Sequence, residues 1–352
     1  MGCLRFLVGP TARKVIQQQG LNPGIFSRLM AASGGPKWIG IAALDRYLFC
    51  EFLAQRQHVI HTLGASSGAW RLSCFAQQDI AAAYSRFEAL YINQRYDVKP
   101  SPEQISANVG KIIDGILGAN AGEDIVSNPM VNSHFIACRA KHLNASTHRS
   151  QLAAGLLGSA ATNLFSRRSL GWHFERTVFA TQPSNSPFTQ LVDLPTTSVA
   201  LSGDNVKQVL LASGAIPWVI APVTNIAGAP QGAYFDGGIT DYHFDIPHSD
   251  RDGLTLYPHF YPHMKPGWFD KTLPWRSASE NYHDALVLAP TQEFIDKLPY
   301  AKLPDRDDFS RLSSDERIQY WQTTLKMSQQ LADEFAEVVA RGVVADRLQD
   351  LY

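Results

Sequence analysis

Cysteine is scarce in this sequence, with four residues in a chain of 352. Cys3, Cys50, Cys74 and Cys138 show neither a paired pattern nor the short spacing that is typical of metal ligands. We therefore expect four reduced and mostly buried thiols. Thiols in that state are typical of a reducing compartment.

Charge of one sign is not in excess either. The 31 lysines and arginines nearly balance the 32 aspartates and glutamates, which leaves a formal net charge of −1. A protein without a global basic field lacks the electrostatic attraction that holds nucleic acid. We therefore expect no nucleic-acid partner.

Long apolar runs are also missing. The longest, at 209–223, contains Pro217 and Pro222 and is too short to span a bilayer. In the first twenty residues, Arg5 and Arg13 interrupt the apolar region that a signal peptide needs. We expect no transmembrane segment and a cytoplasmic location, with secretion by a signal-independent route left open.

The sequence does contain, at 57–70, a strand pattern that runs into a sharp turn and a helix. The apolar strand ends at Gly64, and apolar residues return at helical spacing from Ala69. Ser66 lies between Gly64 and Gly68 in the order G-x-S-x-G, the pattern of a nucleophile elbow. Such a turn exposes the serine hydroxyl at a helix N-terminus, where developing negative charge is stabilised. Because glycine and serine are common, ordinary strand-to-helix loops also show this pattern.

A second glycine turn, S-G-G-P-K at 33–37, separates a predicted strand at 27–32 from a helix. The backbone N–H groups of Gly34 and Gly35 can point into one site and form an anion-binding concavity. A plain loop between a strand and a helix is the equally open alternative.

Short apolar runs predict further strands at 134–140, 177–180, 198–201, 233–235, 254–257 and 285–288. Helical patterns alternate with them, which predicts an α/β fold with a mainly parallel sheet covered on both faces. We expect a single domain over 1–352, with its core at about 27–290. Before the core only a helix at 12–19 is indicated, and after it a capping box at Ser313 opens a helix at about 314–341.

Two further blocks are A-S-G-A-I-P at 212–217 and G-A-Y-F-D-G-G-I-T-D at 232–241. Asp236 leaves an apolar strand and enters Gly237 and Gly238, which predicts a carboxylate at the sheet edge where α/β sites gather. A carboxylate within hydrogen-bonding reach of a serine can take its proton directly.

Together, these blocks, the turn at Ser66 and the glycine loop resemble the patatin-like phospholipases, serine acyl hydrolases with a Ser-Asp dyad. The resemblance covers about 29–247. It implies a patatin-like three-layer α/β/α fold with a mainly parallel central sheet, Ser66 as nucleophile and Asp236 as base. It also implies a lipid or small-ester substrate, no cofactor and no metal. The implied oxyanion hole consists of Ser33, Gly34 and Gly35.

The other motif positions that support this resemblance are Gly64, Gly68, Lys37, Gly237 and Gly238. The glycine loop departs from the family pattern of three glycines, a variable residue, a basic residue and a fourth glycine. Ser33 replaces the first glycine but keeps a backbone N–H, whereas Trp38 replaces the last and adds bulk near the expected acyl pocket. Lys37 matches the basic position, and it either stiffens the loop or attracts anionic head groups.

Other functions stay open. Ser66, Asp236 and a later histidine would give the Ser-His-Asp triad of an α/β-hydrolase esterase, the candidate histidines being His243, His248, His259, His263 and His283. The glycines after Asp236 have no role in such a triad. The departures in the glycine loop also allow a non-enzymatic lipid-binding module of the same fold. A histidine metal site is disfavoured, because the Tyr-Pro-His repeats at 257–263 lack helical spacing.

Peripheral membrane contact is a further expectation without a fixed location. The segment 151–165, followed by Arg167 and Arg168, is either a lid or lipid-contacting surface with arginines toward head groups, or a buried helix of small residues. The apolar stripe at 105–117 is the second candidate.

Overall fold

The computed structural model describes residues 2–96, 100–248, 252–278, 281–342 and 344–351. Within them, one sheet contains the strands β1 (Leu4–Val8), β2 (Phe26–Ala31), β3 (Ile60–Ala65), β4 (Val131–Ala140), β5 (Phe174–Ala180), β6 (Thr196–Ala200), β7 (Val223–Thr224), β8 (Ala233–Asp236), β9 (Leu254–Pro258), β10 (Ala285–Pro290) and β11 (Leu348–Asp350). The α-helices are α1 (Pro10–Gln19), α2 (Ala42–Tyr47), α3 (Ser67–Phe75), α4 (Ile80–Ile92), α5 (Pro102–Leu117), α6 (Glu123–Val126), α7 (Arg149–Phe165), α8 (Leu170–His173), α9 (Val206–Ser213), α10 (Gln292–Lys297), α11 (Asp308–Arg311), α12 (Ser314–Met327) and α13 (Gln329–Arg341).

The sheet is mixed and mostly parallel, in the order β11-β1-β10-β9-β2-β3-β4-β5-β6, with β8 paired to β4 and β7 to β8. The central run from β10 through β9, β2 and β3 to β4 is parallel throughout. Antiparallel pairs join β1 to β10, β5 and β8 to β4, and β7 to β8. The predicted three-layer α/β/α fold with a mainly parallel central sheet is confirmed.

The central strands are almost entirely buried, as a parallel sheet covered by helices requires, apart from the partly exposed Ser27 of β2, His61 of β3 and Arg139 of β4. Every residue of β9 and β10 is buried. Helix α3 packs on β2, β3 and β4, and α9 packs on β4 and β8. These two helices begin or end at the edge of the sheet where the candidate site lies.

The chain termini differ from expectation. Where only a helix at 12–19 was indicated, the chain first forms β1, which pairs antiparallel with β10 and parallel with β11. The helix predicted over 314–341 is divided at Ser328 into α12 and α13. The buried Ser328 hydroxyl donates to the carbonyl of Leu325 at 2.6 Å and accepts the N–H of Ala43 at 3.1 Å, so it ties this junction to α2.

The apolar stripe at 105–117 is not a membrane-contacting surface. It lies on α5, where it packs into the hydrophobic core through Val109, Ile112, Ile113, Ile116 and Leu117. None of the helices in the described part of the chain combines the length and apolar character that crossing a membrane requires.

Candidate active site

Ser66 forms the turn between β3 and α3, with φ 55° and ψ −132°. This positive φ is unusual for a residue with a side chain, so the surrounding structure must hold the turn in place. The flanking glycines explain how. A Cβ on Gly64 would lie 2.8 Å from the backbone of Ala69, and one on Gly68 would lie 1.8 Å from the carbonyl oxygen of Ala31. Both positions therefore require glycine for β3, β2 and α3 to approach one another this closely.

Strand β4 brings Ser66 and Asp236 together. Ala65, the last residue of β3, pairs with Ile136, while Asp236, the last residue of β8, pairs with the next residue, Ala137. Because β8 runs antiparallel to β4, and β3 runs parallel to it, the two strands end facing each other. Ser66 and Asp236 thus leave the sheet at one point.

The two side chains form a direct hydrogen bond. The Oγ of Ser66 donates to Oδ2 of Asp236 at 2.7 Å, and Oδ1 of Asp236 accepts the N–H of Gly238 at 2.7 Å. Ser66 is 5% exposed and Asp236 is 7% exposed. A Cβ on Gly237 would lie 2.3 Å from the carbonyl oxygen of Ile136, so the chain can turn after Asp236 only with glycine there. The arrangement provides a hydroxyl with a fixed carboxylate acceptor.

Burial raises the pKa of Asp236 above that of an ordinary aspartate. The hydrogen bonds from Ser66 and Gly238 oppose this shift, as do the positive charges of Arg306 and Lys271. A carboxylate with a raised pKa is a stronger proton acceptor than a solvent-exposed aspartate.

The A-S-G-A-I-P block holds the backbones of both residues, a role that the sequence analysis did not assign. The backbone N–H of Ser66 donates to Oγ of Ser213 at 2.9 Å, and Ser213 donates in turn to the carbonyl of Ile136 at 2.7 Å. The N–H of Asp236 donates to the carbonyl of Ala215 at 2.9 Å. In the sequence, the only indication of this role is a serine within an otherwise apolar block, and the structure shows that this serine is fully buried.

The glycine loop leaves two N–H donors available. Gly34 lines the same pocket as Ser66, and neither its N–H nor that of Gly35 hydrogen-bonds to another described residue. Gly35 has φ 56°, a conformation that favours glycine. The N–H of Ser33, in contrast, donates to the carbonyl of Tyr242 at 3.0 Å. This bond removes Ser33 from the expected donors of the oxyanion hole, because its N–H already has an acceptor.

The last two residues of this loop, Lys37 and Trp38, do not line the pocket of Ser66. Lys37 forms an ion pair with Asp305, which favours the expectation that it stiffens the loop. Trp38 is fully buried and stacks on Phe87 with ring centroids 4.3 Å apart. It also makes edge contacts with Tyr84 and Tyr91. Its bulk thus fills the core beside α4.

The chain from Gly35 to Ile41 is a 3-10 helix rather than the start of an α-helix.

The pocket above Ser66 is narrow, with a volume of about 20 Å³, on the order of the space for one water molecule. Its apolar walls come from Ile216, Pro217, Ile239, Tyr242 and Trp268. Lys271 and Arg306 also line it. No motif marked these two cations, since they come from distant loops that only the fold brings to Ser66.

The candidate histidines of a Ser-His-Asp triad do not contact Ser66. No histidine of the described residues hydrogen-bonds to Ser66, whose hydroxyl has Asp236 as its partner. The Nδ1 of His243 accepts the N–H of Lys265 at 3.0 Å, and burial lowers the pKa of His243 well below its ordinary value. His283 is exposed. This geometry counts against the Ser-His-Asp triad. In the described ranges, no group of three or more His, Cys, Asp or Glu residues is placed to hold a metal ion.

Comparisons with known proteins give a family-model match and a distant structural likeness. Human GIVD cytosolic phospholipase A2 is a solved structure with 9% sequence identity and a TM-score of 0.42, and the match covers 95% of this chain and 63% of that one. Less than two thirds of that longer chain is therefore represented here. No curated protein gives a significant sequence match. The family model described as patatin-like phospholipase matches residues 29–243, more than half of the 352 residues, so the chain belongs to the patatin-like phospholipase family.

Proposed function

We propose that this protein is a lipid acyl hydrolase that cleaves carboxylic esters through a dyad of Ser66 and Asp236. Membership of the patatin-like phospholipase family supports lipid acyl hydrolysis. The observation that carries the dyad is the 2.7 Å hydrogen bond from the Ser66 hydroxyl to the Asp236 carboxylate in a buried pocket.

In the proposed mechanism, Oγ of Ser66 attacks the ester carbonyl carbon while Asp236 accepts the hydroxyl proton. The N–H groups of Gly34 and Gly35 stabilise the oxyanion of the tetrahedral intermediate, and loss of one such donor typically costs about 10²–10³ in rate. The alcohol leaves with the proton held by Asp236, and the acyl group stays on Ser66. Asp236 then takes a proton from a water molecule, whose oxygen attacks the acyl carbonyl carbon. The bond from that carbon to Oγ of Ser66 breaks, the fatty acid is released, and Asp236 returns the proton to Oγ.

A chromogenic ester assay separates this enzyme from a non-enzymatic lipid-binding module of the same fold. Wild-type protein should turn over the ester, and Ser66→Ala should abolish turnover with little change in melting temperature. Ser67→Ala is the matched control, because Ser67 is a buried serine next in sequence whose hydroxyl has no hydrogen-bond partner within the described chain. Asp236→Asn should be nearly as damaging as Ser66→Ala, and the double variant little worse than either, because residues that act as one unit are strongly non-additive.

We also propose that substrate is taken from a lipid surface through α7. Leu157 is 70% exposed, Leu164 49% and Phe165 91%. Helix α7 adjoins the pocket, since Asn163 donates to Asp270 at 2.7 Å in the short helix Trp268–Asp270, whose first residue lines the pocket. An acyl chain needs more room than the narrow pocket offers, so these elements must shift when substrate enters.

Two residues in or next to α7 lie differently from what lipid contact would require. Leu156, which was expected on this surface, is 4% exposed and packs inward. Arg167 does not face lipid: it pairs with Asp193 at 3.4 Å and with Asp241 at 3.3 Å. Of the two arginines, Arg168 is the one that is exposed.

A further inference from the structure

Two cations line the pocket of Ser66 without a carboxylate partner. The side chains of Lys271 and Arg306 form neither a hydrogen bond nor an ion pair with any other residue that the structure describes, and the Lys271 ammonium contacts only an aromatic ring, that of Tyr242. Other cations near the site are paired, for example Lys37 with Asp305 and Arg176 with Asp241. Since Asp236 is the one carboxylate among the residues lining this pocket, its walls carry an excess of positive charge.

Both cations lie close to the reacting groups. The ammonium of Lys271 is 3.9 Å from the centroid of the Tyr242 ring. The Lys271 side chain as a whole is exposed, but its ammonium is partly desolvated. This desolvation lowers the pKa of Lys271 to about 7, and the positive charges of Arg306 and Lys37 contribute to the shift. Arg306 lies over the glycine loop, where a Cβ on Gly35 would be 3.6 Å from its Nη2.

A larger cavity of about 660 Å³ adjoins this pocket and shares Lys271 and Tyr242 with it. Its lining includes Arg5, His263 and Lys265. Among its lining residues the sole carboxylate is Asp305, which is already paired with Lys37. The cavity therefore has room for a polar group attached to an ester, and it offers no free carboxylate for a choline or ammonium head group.

We propose that Lys271 and Arg306 bind an anionic group of the acyl substrate, a phosphate monoester or a carboxylate placed a few bonds from the ester that Ser66 attacks. The proposal rests on the proposed function and names its preferred substrates: acyl esters with a net negative head group rather than neutral or zwitterionic ones. Both residues lie outside 29–243, so this preference belongs to the parts of the chain that the family model does not match.

The kinetic test uses three esters with the same acyl chain: a monoacylglycerol, a lysophosphatidic acid and a lysophosphatidylcholine. Wild-type kcat/KM should be highest for lysophosphatidic acid, by about tenfold or more, because hydrogen bonds to charged groups are stronger than those between neutral groups. Arg306→Gln and Lys271→Met should each remove about tenfold of this preference, mainly through a higher KM for lysophosphatidic acid, and should lower monoacylglycerol hydrolysis far less than lysophosphatidic acid hydrolysis. Lys111→Met is the matched control, since Lys111 is an exposed lysine of α5 that lines neither cavity.

Two kinetic results would overturn the proposal. One is equal turnover of all three esters by wild-type protein. The other is an equal loss in kcat on neutral and anionic esters in the Arg306 variant, which would make Arg306 a stabiliser of the oxyanion instead.

A binding measurement decides the case even if the protein hydrolyses none of these esters. Calorimetry on Ser66→Ala protein should detect sn-glycerol 3-phosphate, with about tenfold weaker binding once Arg306→Gln is added. Tighter binding of glycerol phosphate than of inorganic phosphate would support a substrate head group as the source of the anion. Equal binding of inorganic phosphate would support the same anion site with free phosphate as its ligand. Absence of binding by both anions would refute the site.

Discussion

At the scale of single residues, Ser213 connects the nucleophile to the sheet. Its hydroxyl accepts the N–H of Ser66 and donates to the carbonyl of Ile136, and the residue is fully buried. Ser213→Ala should lower the free energy of unfolding by about 1–3 kcal/mol, because it leaves a buried N–H without an acceptor. It should also lower kcat with little change in KM, since the displaced group is the nucleophile. Urea unfolding and steady-state kinetics measure the two effects.

Ser73→Ala is the control for that substitution. Ser73 is equally buried, but its hydroxyl bonds to the carbonyl of Ala69 within its own helix, at 2.7 Å. We expect a smaller loss of stability and an unchanged kcat. Equal effects of the two substitutions on kcat would contradict the positioning role of Ser213.

In the proposed mechanism, the protonation of Asp236 sets the acidic limb of the pH–rate profile. As the base, Asp236 must be deprotonated, so the rate should rise with pH as the pH passes through its pKa. Burial raises that pKa, so the acidic limb of the pH–rate profile should lie at a higher pH than the pKa of about 4 of an ordinary aspartate would give. Because the charge of Arg306 lowers the pKa of Asp236, Arg306→Gln should move the limb to still higher pH. The pH dependence of kcat/KM on a neutral ester tests this, and a shift to lower pH would contradict it.

The proposed reacting residues, Ser66 and Asp236, could be selected from the sequence because the turns that hold them require glycine at fixed positions. Gly64 and Gly68 are required by the turn at Ser66, and Gly237 by the turn after Asp236. No local sequence pattern indicates Lys271 and Arg306. Their position beside Ser66 depends on how distant loops pack, which no local spacing records.

At the scale of elements, a buried ion pair anchors the helix that begins after Ser66. Arg71 of α3 forms two hydrogen bonds to Asp45 of α2, at 2.6 and 2.7 Å, and both side chains are fully buried. The hydroxyl of Tyr84 in α4 also donates to Asp45 at 2.6 Å. These contacts fix α3 relative to two neighbouring helices.

Asp45→Asn should therefore lower the free energy of unfolding by about 3–5 kcal/mol, because it leaves the buried Arg71 charge without a carboxylate. Asp114→Asn is the control, since its pair with Lys207 is exposed on both sides and should be worth no more than about 1 kcal/mol. Denaturant titration of both variants gives the comparison. A loss no larger for Asp45→Asn than for Asp114→Asn would show that the pair does not anchor α3.

Elements in the middle of the chain were easier to predict than those at its ends. The predicted strand at 27–32 corresponds to β2, and that at 134–140 lies within β4, because both are apolar runs bounded by turns. β1 is only five residues long and contains Arg5, so its pattern does not stand out. The sequence does not predict the break at Ser328, because the helical spacing of apolar residues continues across it.

At the scale of the whole molecule, α7 presents an apolar surface next to the pocket. Turnover of a short-chain ester should rise sharply at its critical micelle concentration. Leu157→Asp with Phe165→Asp should remove that rise and leave the rate below it unchanged, because each buried CH₂ contributes about 0.8 kcal/mol to surface binding. Val192→Asp is the control, as Val192 is 90% exposed in a different loop. A smooth saturation curve in all proteins would mean that soluble esters are the substrates.

Sequence alone predicted the fold class but not the order of the strands. Alternating strands and helices indicate a covered, mainly parallel sheet. The antiparallel β8 on the same edge of β4 as β3 is a long-range pairing, and it is this pairing that brings Asp236 to Ser66. Periodicity does not indicate this pairing, so the sequence alone placed Asp236 beside Ser66 only through the resemblance to the patatin-like family.

The central claim is that Ser66 is a nucleophile activated by Asp236, and covalent labelling tests it most directly. A serine-directed organophosphonate would be incubated with intact wild-type, Ser66→Ala and Asp236→Asn proteins, and the modified peptide located by mass spectrometry. We predict one label, on Ser66, in wild-type protein, none in Ser66→Ala and much slower labelling in Asp236→Asn. A label on another serine, or labelling of Asp236→Asn at the wild-type rate, would contradict the account.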